Sequence, residues 1–122
     1  MLPPKINTRK KKMYKYNAKL IRVIDGDTID ALIDLGFDVW IKKRIRLYGI
    51  NTPETRTRDL EEKKAGKEAK ARLEELLEQH GGVFVLESHG VGKYGRCLGV
   101  LFIGETNINT LLLSEGLAEE YK

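Results

Sequence analysis

Residues 45–54 read IRLYGINTPE, and this stretch carries the chain from a strand-like pattern into a cluster of polar side chains. Pro53 fixes its own φ and favours an extended residue before it, so the backbone is rigid where the polar residues lie. Arg46 has the strand parity of Tyr48 and Ile50, which predicts that these three side chains project from one face of a sheet. A guanidinium, an amide, a hydroxyl and a carboxylate thus share one short segment, and such a set suits an anion, a hard cation and a water.

The length of 122 residues predicts one domain with its own core. The single cysteine, Cys97, excludes an internal disulfide and is interpreted as a small strand residue rather than a nucleophile. No apolar stretch is long enough to span a membrane, and no signal peptide is predicted at the N-terminus. We therefore expect a cytoplasmic monomer that does not contact membranes and that a phage or mobile element could encode.

The net charge of +4 is unevenly distributed. Residues 1–22 hold eight of the 22 basic residues and none of the 18 acidic ones, so residues 23–122 carry a net charge of −4. Residues 1–13 are predicted to be a flexible basic arm, followed by one domain over residues 14–122. The arm has two interpretations: it holds a polyanion through counterion release, or it is a solubilising disordered end.

Alternating apolar residues and short turns predict most of the fold. The turn signals are Asp25-Gly26-Asp27 and residues 34–38. The predicted strands are 14–24, 28–33, 39–50, 83–87 and 97–103. The third of these is long enough to bend or carry a bulge, and the fifth is apolar enough to be central.

A helix is predicted between the third and fourth strands. Asp59 fits its N-cap with Glu62 as the capping-box partner, and Gly81-Gly82 ends it. Its apolar face is predicted to comprise Leu60, Ala65, Ala69, Leu73, Leu76 and Leu77. A mobile loop over 90–95 and a short helix over 107–115, ended by Gly116, complete the order β-β-β-α-β-β-α. That order predicts an α+β protein with a five-stranded OB-type Greek-key barrel.

Four polar clusters could carry chemistry: Asp25-Gly26-Asp27-Thr28, Arg46, Asn51-Thr52-Pro53-Glu54 and Lys93-Tyr94-Gly95-Arg96. Each has an ordinary explanation when taken alone, namely turn carboxylates, a strand ion pair of Arg46 with Asp30 or Glu54, or an exposed loop. Together they supply a metal site, two phosphate-binding arginines and a carboxylate that can take a proton from water. His80 and His89 are distant from any cysteine cluster, so a zinc site is not expected.

The chain resembles the staphylococcal (micrococcal, or thermo-) nuclease family. The similarity rests on VIDGDTID (23–30), IRLYGINTPET (45–55), AGKEA (65–69), KYGR (93–96) and NTLLLSEGLAEEY (109–121). The family fold is an OB-type barrel with helices, as the strand order also predicts.

The resemblance implies roles for individual residues. Asp27 and Asn51 would be Ca²⁺ ligands, although another divalent metal could serve, and Thr52 would offer its backbone carbonyl. Glu54 would be the general base. The remaining residues would contact the substrate, with Arg46 and Arg96 on the scissile phosphate, Lys93 and Tyr94 on a neighbouring phosphate, and Tyr121 near a base-stacking position. The implied reaction is Ca²⁺-dependent endonuclease cleavage of DNA and RNA, preferentially single-stranded, leaving 5′-hydroxyl and 3′-phosphate ends.

Two positions depart from the family pattern. Asn51 stands where the best-known members have Asp, which predicts weaker metal affinity or a changed metal preference, since one negative charge is lost. Gly92 stands where a carboxylate commonly precedes the Lys-Tyr-Gly-Arg motif. Both departures keep an alternative open, a nucleic-acid-binding module of the same fold without activity.

Overall fold

The computed structural model describes residues 14–121, so the predicted basic arm over 1–13 lies outside the described residues. The strands are β1 Lys15–Asp25, β2 Thr28–Asp34, β3 Trp40–Leu47, β4 Ile50–Asn51, β5 Val83–Val91, β6 Cys97–Ile103, β7 Thr106–Asn107 and β8 Glu119–Glu120. The helices are α1 Leu60–Glu78 and α2 Ile108–Ser114, and a single 3₁₀ turn spans Lys93–Gly95.

Five strands close into a barrel. The antiparallel order is β3-β2-β1-β5-β6, and a parallel pairing of β3 with β6 joins the two ends. Closure leaves no open edge among these five strands, and β6 is central as predicted, because it pairs with β3, β5 and β7. The predicted OB-type α+β fold is confirmed.

The core lies inside the barrel and under α1. Alternate residues of the strands point inward, and Ile29, Ile45 and Leu101 are fully buried there. Leu73 and Leu77 of α1 are also fully buried. The core therefore holds the strand ends in fixed positions, and the polar clusters lie at those ends.

The predicted third strand over 39–50 is wrong in its last three residues. β3 ends at Leu47, and the chain turns at Gly49, whose φ of +79° favours glycine. Ile50 then begins β4, which pairs with β8 in a separate two-stranded sheet. Arg46, Tyr48 and Ile50 do not share a face as predicted, since Tyr48 is half-exposed and Ile50 is buried.

The N-terminus of α1 confirms the predicted cap but not the full capping box. The Asp59 carboxylate accepts hydrogen bonds from the backbone N–H groups of Glu61 and Glu62. The Glu62 carboxylate instead accepts from the Thr57 hydroxyl, at 3.3 Å, and the same hydroxyl oxygen accepts from the Asp59 N–H. Leu60 was wrongly predicted on the apolar face: it is 80% exposed, because the buried face of α1 begins only at Gly66.

The segment predicted as a loop over 90–95 is partly ordered into regular structure. β5 continues to Val91 across an irregularity in its pairing with β6, and the 3₁₀ turn Lys93–Gly95 follows. β6 over Cys97–Ile103 and α2 within 107–115 agree with prediction, whereas the two-residue strands β7 and β8 were not predicted.

Candidate active site

A cleft of about 620 Å³ opens at one end of the barrel. The turn between β1 and β2, the segment after β3, and the chain that enters β6 form its walls. Eight of the nine predicted site residues line it: Asp27, Arg46, Asn51, Thr52, Glu54, Lys93, Arg96 and Tyr121. Residues up to 94 positions apart in sequence therefore meet at one place, and both predicted phosphate-binding arginines are among them.

Asp27 is held rigidly in the β1–β2 turn and is only 7% exposed. Its Oδ2 accepts from the backbone N–H of Thr52 at 3.0 Å, and its Oδ1 accepts from the Thr28 hydroxyl at 2.9 Å. The Arg46 guanidinium lies 3.3 Å from Oδ2. A buried carboxylate with this many partners is fixed in direction.

Arg46 reaches the cleft from the end of β3, and its ion-pair partner is Asp27 rather than Asp30 or Glu54. Nη1 donates to the carbonyls of Leu47 and Ile50, at 3.2 and 2.9 Å. Nη2 donates to the Asn51 side-chain oxygen at 3.2 Å. The ring of Tyr121 lies 5.5 Å from the guanidinium carbon, within cation–π range.

Glu54 differs from Asp27 in its surroundings. It is exposed at the cleft, and within residues 14–121 no hydrogen bond or ion pair engages its carboxylate. Two carboxylates in one cleft thus have different environments, one buried and fully bonded, the other free to contact water. This is the division of roles expected of a metal-binding group and a proton acceptor.

The opposite wall carries Lys93 and Arg96, which lie on either side of a tight turn. Tyr94 occupies that turn with a φ of +63°, is 94% exposed, and does not line the cleft. The substrate contact predicted for Tyr94 stays a prediction, and of the Lys-Tyr-Gly-Arg motif the residues that line the cleft are Lys93 and Arg96.

The donor set of the cleft fits a hard cation. Asp27 and Asn51 offer carboxylate and amide oxygens, Asp25 adds a second carboxylate, and no histidine or cysteine lines the cleft. Within the described residues there is no group of three or more His, Cys, Asp or Glu side chains that could hold a metal. Ca²⁺ or Mg²⁺ would therefore depend on neutral oxygens and water as well as on carboxylates.

Three residues that support the cleft were not predicted as supports. The Asp25 carboxylate accepts from the Thr55 hydroxyl at 2.6 Å and so ties the β1–β2 turn to the segment after Glu54. Asn109 of α2 is buried, donates to the carbonyls of Tyr48 and Gly99, and accepts from the N–H of Leu101. A polar residue between the buried Ile108 and Leu112 was the available sequence signal.

Gly66 of α1 is the third support. A Cβ at this position would lie 2.7 Å from the carbonyl oxygens of both Pro53 and Glu54. Only glycine allows the helix to pack this closely against the backbone that carries Glu54. A glycine inside a helical pattern, which otherwise costs stability, was the sequence signal.

A closed OB-type barrel with an arginine-rich, oxygen-lined cleft at one end defines the class of nuclease-like α+β domains. The chain belongs to the staphylococcal nuclease homologue family, whose model matches residues 44–122. No helix within residues 14–121 combines the length and the apolar character that crossing a membrane requires.

Relatives with curated names agree with this assignment. A micrococcal nuclease of Shigella flexneri is 33% identical over 116 residues, which cover 88% of this chain and 59% of that protein. Thermonucleases of Staphylococcus hyicus and Staphylococcus intermedius are 33% and 37% identical, over 82% and 80% of this chain. The match covers 56% and 55% of those two proteins, so the chain spans little more than half the length of these relatives.

Proposed function

We propose that this domain is a phosphodiesterase that hydrolyses DNA and RNA with the help of Ca²⁺ and leaves 3′-phosphate ends. The observation that carries the proposal is that Arg46, Arg96, Asp27 and Glu54 line one cleft. Phosphodiester hydrolysis needs positive charge on the phosphate, a cation and a proton acceptor for the attacking water, and these residues supply or bind all three.

Glu54 is the proposed general base. Its carboxylate is exposed in the cleft without a partner in the described chain, so it can accept a proton from a water placed beside the phosphorus. The water oxygen attacks phosphorus, its proton passes to Glu54, and the bond from phosphorus to the 5′ oxygen breaks. The products are a 3′-phosphate and, after protonation of the leaving oxygen, a 5′-hydroxyl.

Arg46 and Arg96 are proposed to bind the non-bridging phosphate oxygens and to stabilise the charge that accumulates on them. Arg46 is already fixed by carbonyl and amide oxygens, so little reorganisation is needed to present its remaining donors. One preorganised donor of this kind lowers a barrier by about 3–4 kcal/mol. Lys93 also lines the cleft and is proposed to bind a neighbouring phosphate, and the exposed ring of Tyr121 offers a surface for an unpaired base.

Asp27 and Asn51 are proposed to hold the divalent ion, together with the Thr52 carbonyl and water. Such an ion supplies electrophilic stabilisation of the phosphate and lowers the pKa of a bound water. The all-oxygen donor set supports Ca²⁺ or Mg²⁺ over zinc.

The test is cleavage of a single-stranded oligonucleotide with Ca²⁺, with and without EDTA. We expect activity that EDTA abolishes, and a decrease of about 10²–10⁴-fold in Glu54→Gln. Glu61→Gln is the matched control, because Glu61 is an exposed carboxylate at the start of α1 outside the cleft. Equal cleavage by both variants, or cleavage that EDTA does not affect, would exclude the proposed mechanism.

A binding module without activity is the second candidate. It is favoured by Asn51, which leaves the metal position with fewer charges, and by Arg46, which is engaged by protein acceptors on several sides. Tight oligonucleotide binding without turnover in Ca²⁺, Mg²⁺ or Mn²⁺ would identify this function.

A further inference from the structure

The outer face of β3 carries a row of side chains that the proposed reaction does not use. Trp40, Lys42 and Arg44 have the same strand parity as Arg46 and the opposite parity to the fully buried Ile45. They lie opposite Asp34, Leu32 and Asp30 of β2, respectively. We call Trp40, Lys42 and Arg44 the β3 row.

The β3 row is continuous with the cleft. Arg46 lines the cleft at one end of the strand, and Arg44 is the next residue on the same face. Trp40 is six positions from Arg46, so the row extends about 20 Å from the cleft along the barrel. A polymer that leaves the cleft along this strand meets each member in turn.

The far end of the row combines an aromatic ring with positive charge. Trp40 is 41% exposed, and the Lys19 ammonium of β1 lies 5.0 Å from its ring centroid. Lys42 is exposed between Trp40 and Arg44. An indole flanked by cations suits an unpaired base with its phosphates, because stacking is tolerant of sequence and the ammonium groups bind the backbone.

The middle of the row is rigid. Arg44 donates Nε and Nη2 to the Asp30 carboxylate, at 2.9 and 3.2 Å, and Arg22 donates Nε to the same carboxylate. The Asp30 side chain is only 3% exposed, whereas those of Arg44 and Arg22 are 47% and 63% exposed. The cluster therefore presents two guanidinium groups to solvent over one buried carboxylate, with a net charge of +1.

We propose that the β3 row binds the single-stranded nucleic acid that continues out of the cleft, with a base stacked on Trp40 and the backbone along Lys42 and Arg44. This assignment rests on the proposed function in one respect: the nucleic acid bound to the β3 row is the same molecule that occupies the cleft. Charge complementarity favours a polyanion, and stacking on Trp40 requires an unpaired base, which excludes a continuous duplex.

Trp40 provides a direct readout, because it is the only tryptophan of the chain. Its fluorescence is measured in EDTA, without turnover, during titration with oligothymidylate of about twelve nucleotides and with a dinucleotide. We expect saturable quenching by the long strand, weakening as salt increases, and no quenching by the dinucleotide, which is too short to reach from the cleft. Absence of quenching by the long strand would overturn the proposal.

Lys42→Ala and Lys43→Ala form the matched pair of variants. Both residues are exposed on β3, but Lys43 has the opposite parity. We expect Lys42→Ala to raise the Kd of the long strand at least threefold and Lys43→Ala to leave it unchanged. Trp40→Ala, followed by competition with a labelled strand, is expected to raise Kd about fivefold or more. Equal changes in Kd for Lys42→Ala and Lys43→Ala would contradict binding along one face of β3.

Two further measurements separate the possible failures. Cleavage of the dinucleotide with Ca²⁺ tests the cleft alone. If the dinucleotide is not cleaved but the long oligonucleotide still quenches Trp40, the proposed function is rejected and the β3 row is supported. Vesicles of anionic phospholipid test the other polyanion that an exposed aromatic and basic face could bind. A blue shift of Trp40 with vesicles, without quenching by the strand, would replace the proposal with a membrane contact.

Discussion

At the residue scale, the cleft depends on how one guanidinium is shared. Arg46 contacts the two side chains proposed as metal ligands, at 3.3 Å from Asp27 and 3.2 Å from Asn51. A divalent cation at those ligands would compete with Arg46 for Asp27 and Asn51, and it would thereby add to the donors that Arg46, still held by the Leu47 and Ile50 carbonyls, presents to phosphate. Because Asn51 carries an amide and not a carboxylate, the site offers less negative charge to the two competing cations, the divalent ion and the Arg46 guanidinium.

Asn51→Asp tests this balance. The added carboxylate attracts a doubly charged ion more strongly than it attracts a single guanidinium, so we expect Ca²⁺ affinity to increase about tenfold. Isothermal titration with Ca²⁺ measures the change without substrate. Asn17→Asp on the exposed side of β1 adds the same charge away from the cleft and is the control. Unchanged or weaker Ca²⁺ binding by Asn51→Asp would show that residue 51 is not a ligand.

Asp30 predicts how stability depends on pH. Hydrogen bonds from Arg44, and then from Arg22, lower the pKa of Asp30 to about 2, despite the opposing effect of burial. Since the folded-state pKa lies below the unfolded value of about 4, this stabilisation is fully present above pH 4 and is lost as the pH falls from about 4 to 2. The contribution is at most about 2 kcal/mol of unfolding free energy.

Urea unfolding of Asp30→Asn at several pH values measures this contribution. We expect the variant to be less stable than the wild type at pH 7, with the difference becoming smaller as the pH falls towards 2. Asp38→Asn is the control, because Asp38 is exposed and forms no ion pair within the described residues. A difference between Asp30→Asn and wild type that is constant across pH would contradict the assigned cause.

At the scale of elements, α1 positions the proposed general base, Glu54, through the absence of a side chain at Gly66. Gly66 brings the helix against the carbonyls of Pro53 and Glu54, and Ala69 of the same helix is fully buried. The helix is therefore part of the cleft's support, although its only direct contribution is close packing.

Gly66→Ala tests which effect is larger: the gain in helix propensity from alanine, or the clash of its Cβ with the carbonyls of Pro53 and Glu54. Alanine favours helix by about 1 kcal/mol, but its Cβ would meet two carbonyl oxygens at 2.7 Å, and backbone cannot give way cheaply. We expect a net loss of about 1–3 kcal/mol in unfolding free energy and a lower kcat, because Glu54 is displaced. Lys67→Ala, at the next and exposed position, is the control. A more stable Gly66→Ala variant with unchanged kcat would refute the close approach.

Local patterns predicted these elements well where packing agrees with them. The apolar run of β6 and the cap at Asp59 are local properties, and both elements were predicted correctly. The break after Leu47 was missed because apolar residues continue through Ile50, and only the pairing of β4 with β8 shows where the strand ends. The exposure of Tyr94 could not be predicted either, since a motif specifies residue order but not the left-handed turn that leaves this side chain 94% exposed.

At the scale of the whole molecule, positive charge is separated from the domain that carries the cleft. Three carboxylates, Asp25, Asp27 and Glu54, face three cationic side chains, Arg46, Lys93 and Arg96, so the cleft is formally close to neutral. Residues 14–122 hold 17 basic and 18 acidic residues, so the domain carries a net charge of −1. Long-range attraction of a polyanion must therefore come from local groups and from the basic N-terminal residues.

Deletion of residues 1–13 tests the contribution of the N-terminal residues. The segment contains five basic residues and no acidic ones, so full engagement would contribute up to about 3.5 to the slope of log K against log salt for a single strand. We expect the truncated chain to bind a long oligonucleotide more weakly and with a smaller slope, while its cleavage of a dinucleotide stays the same, because a short substrate occupies only the cleft. Affinity at several salt concentrations for the full and truncated chains measures the slope directly. An identical slope in both would show that the five charges do not contact the nucleic acid, and the salt dependence would then have to come from the barrel itself.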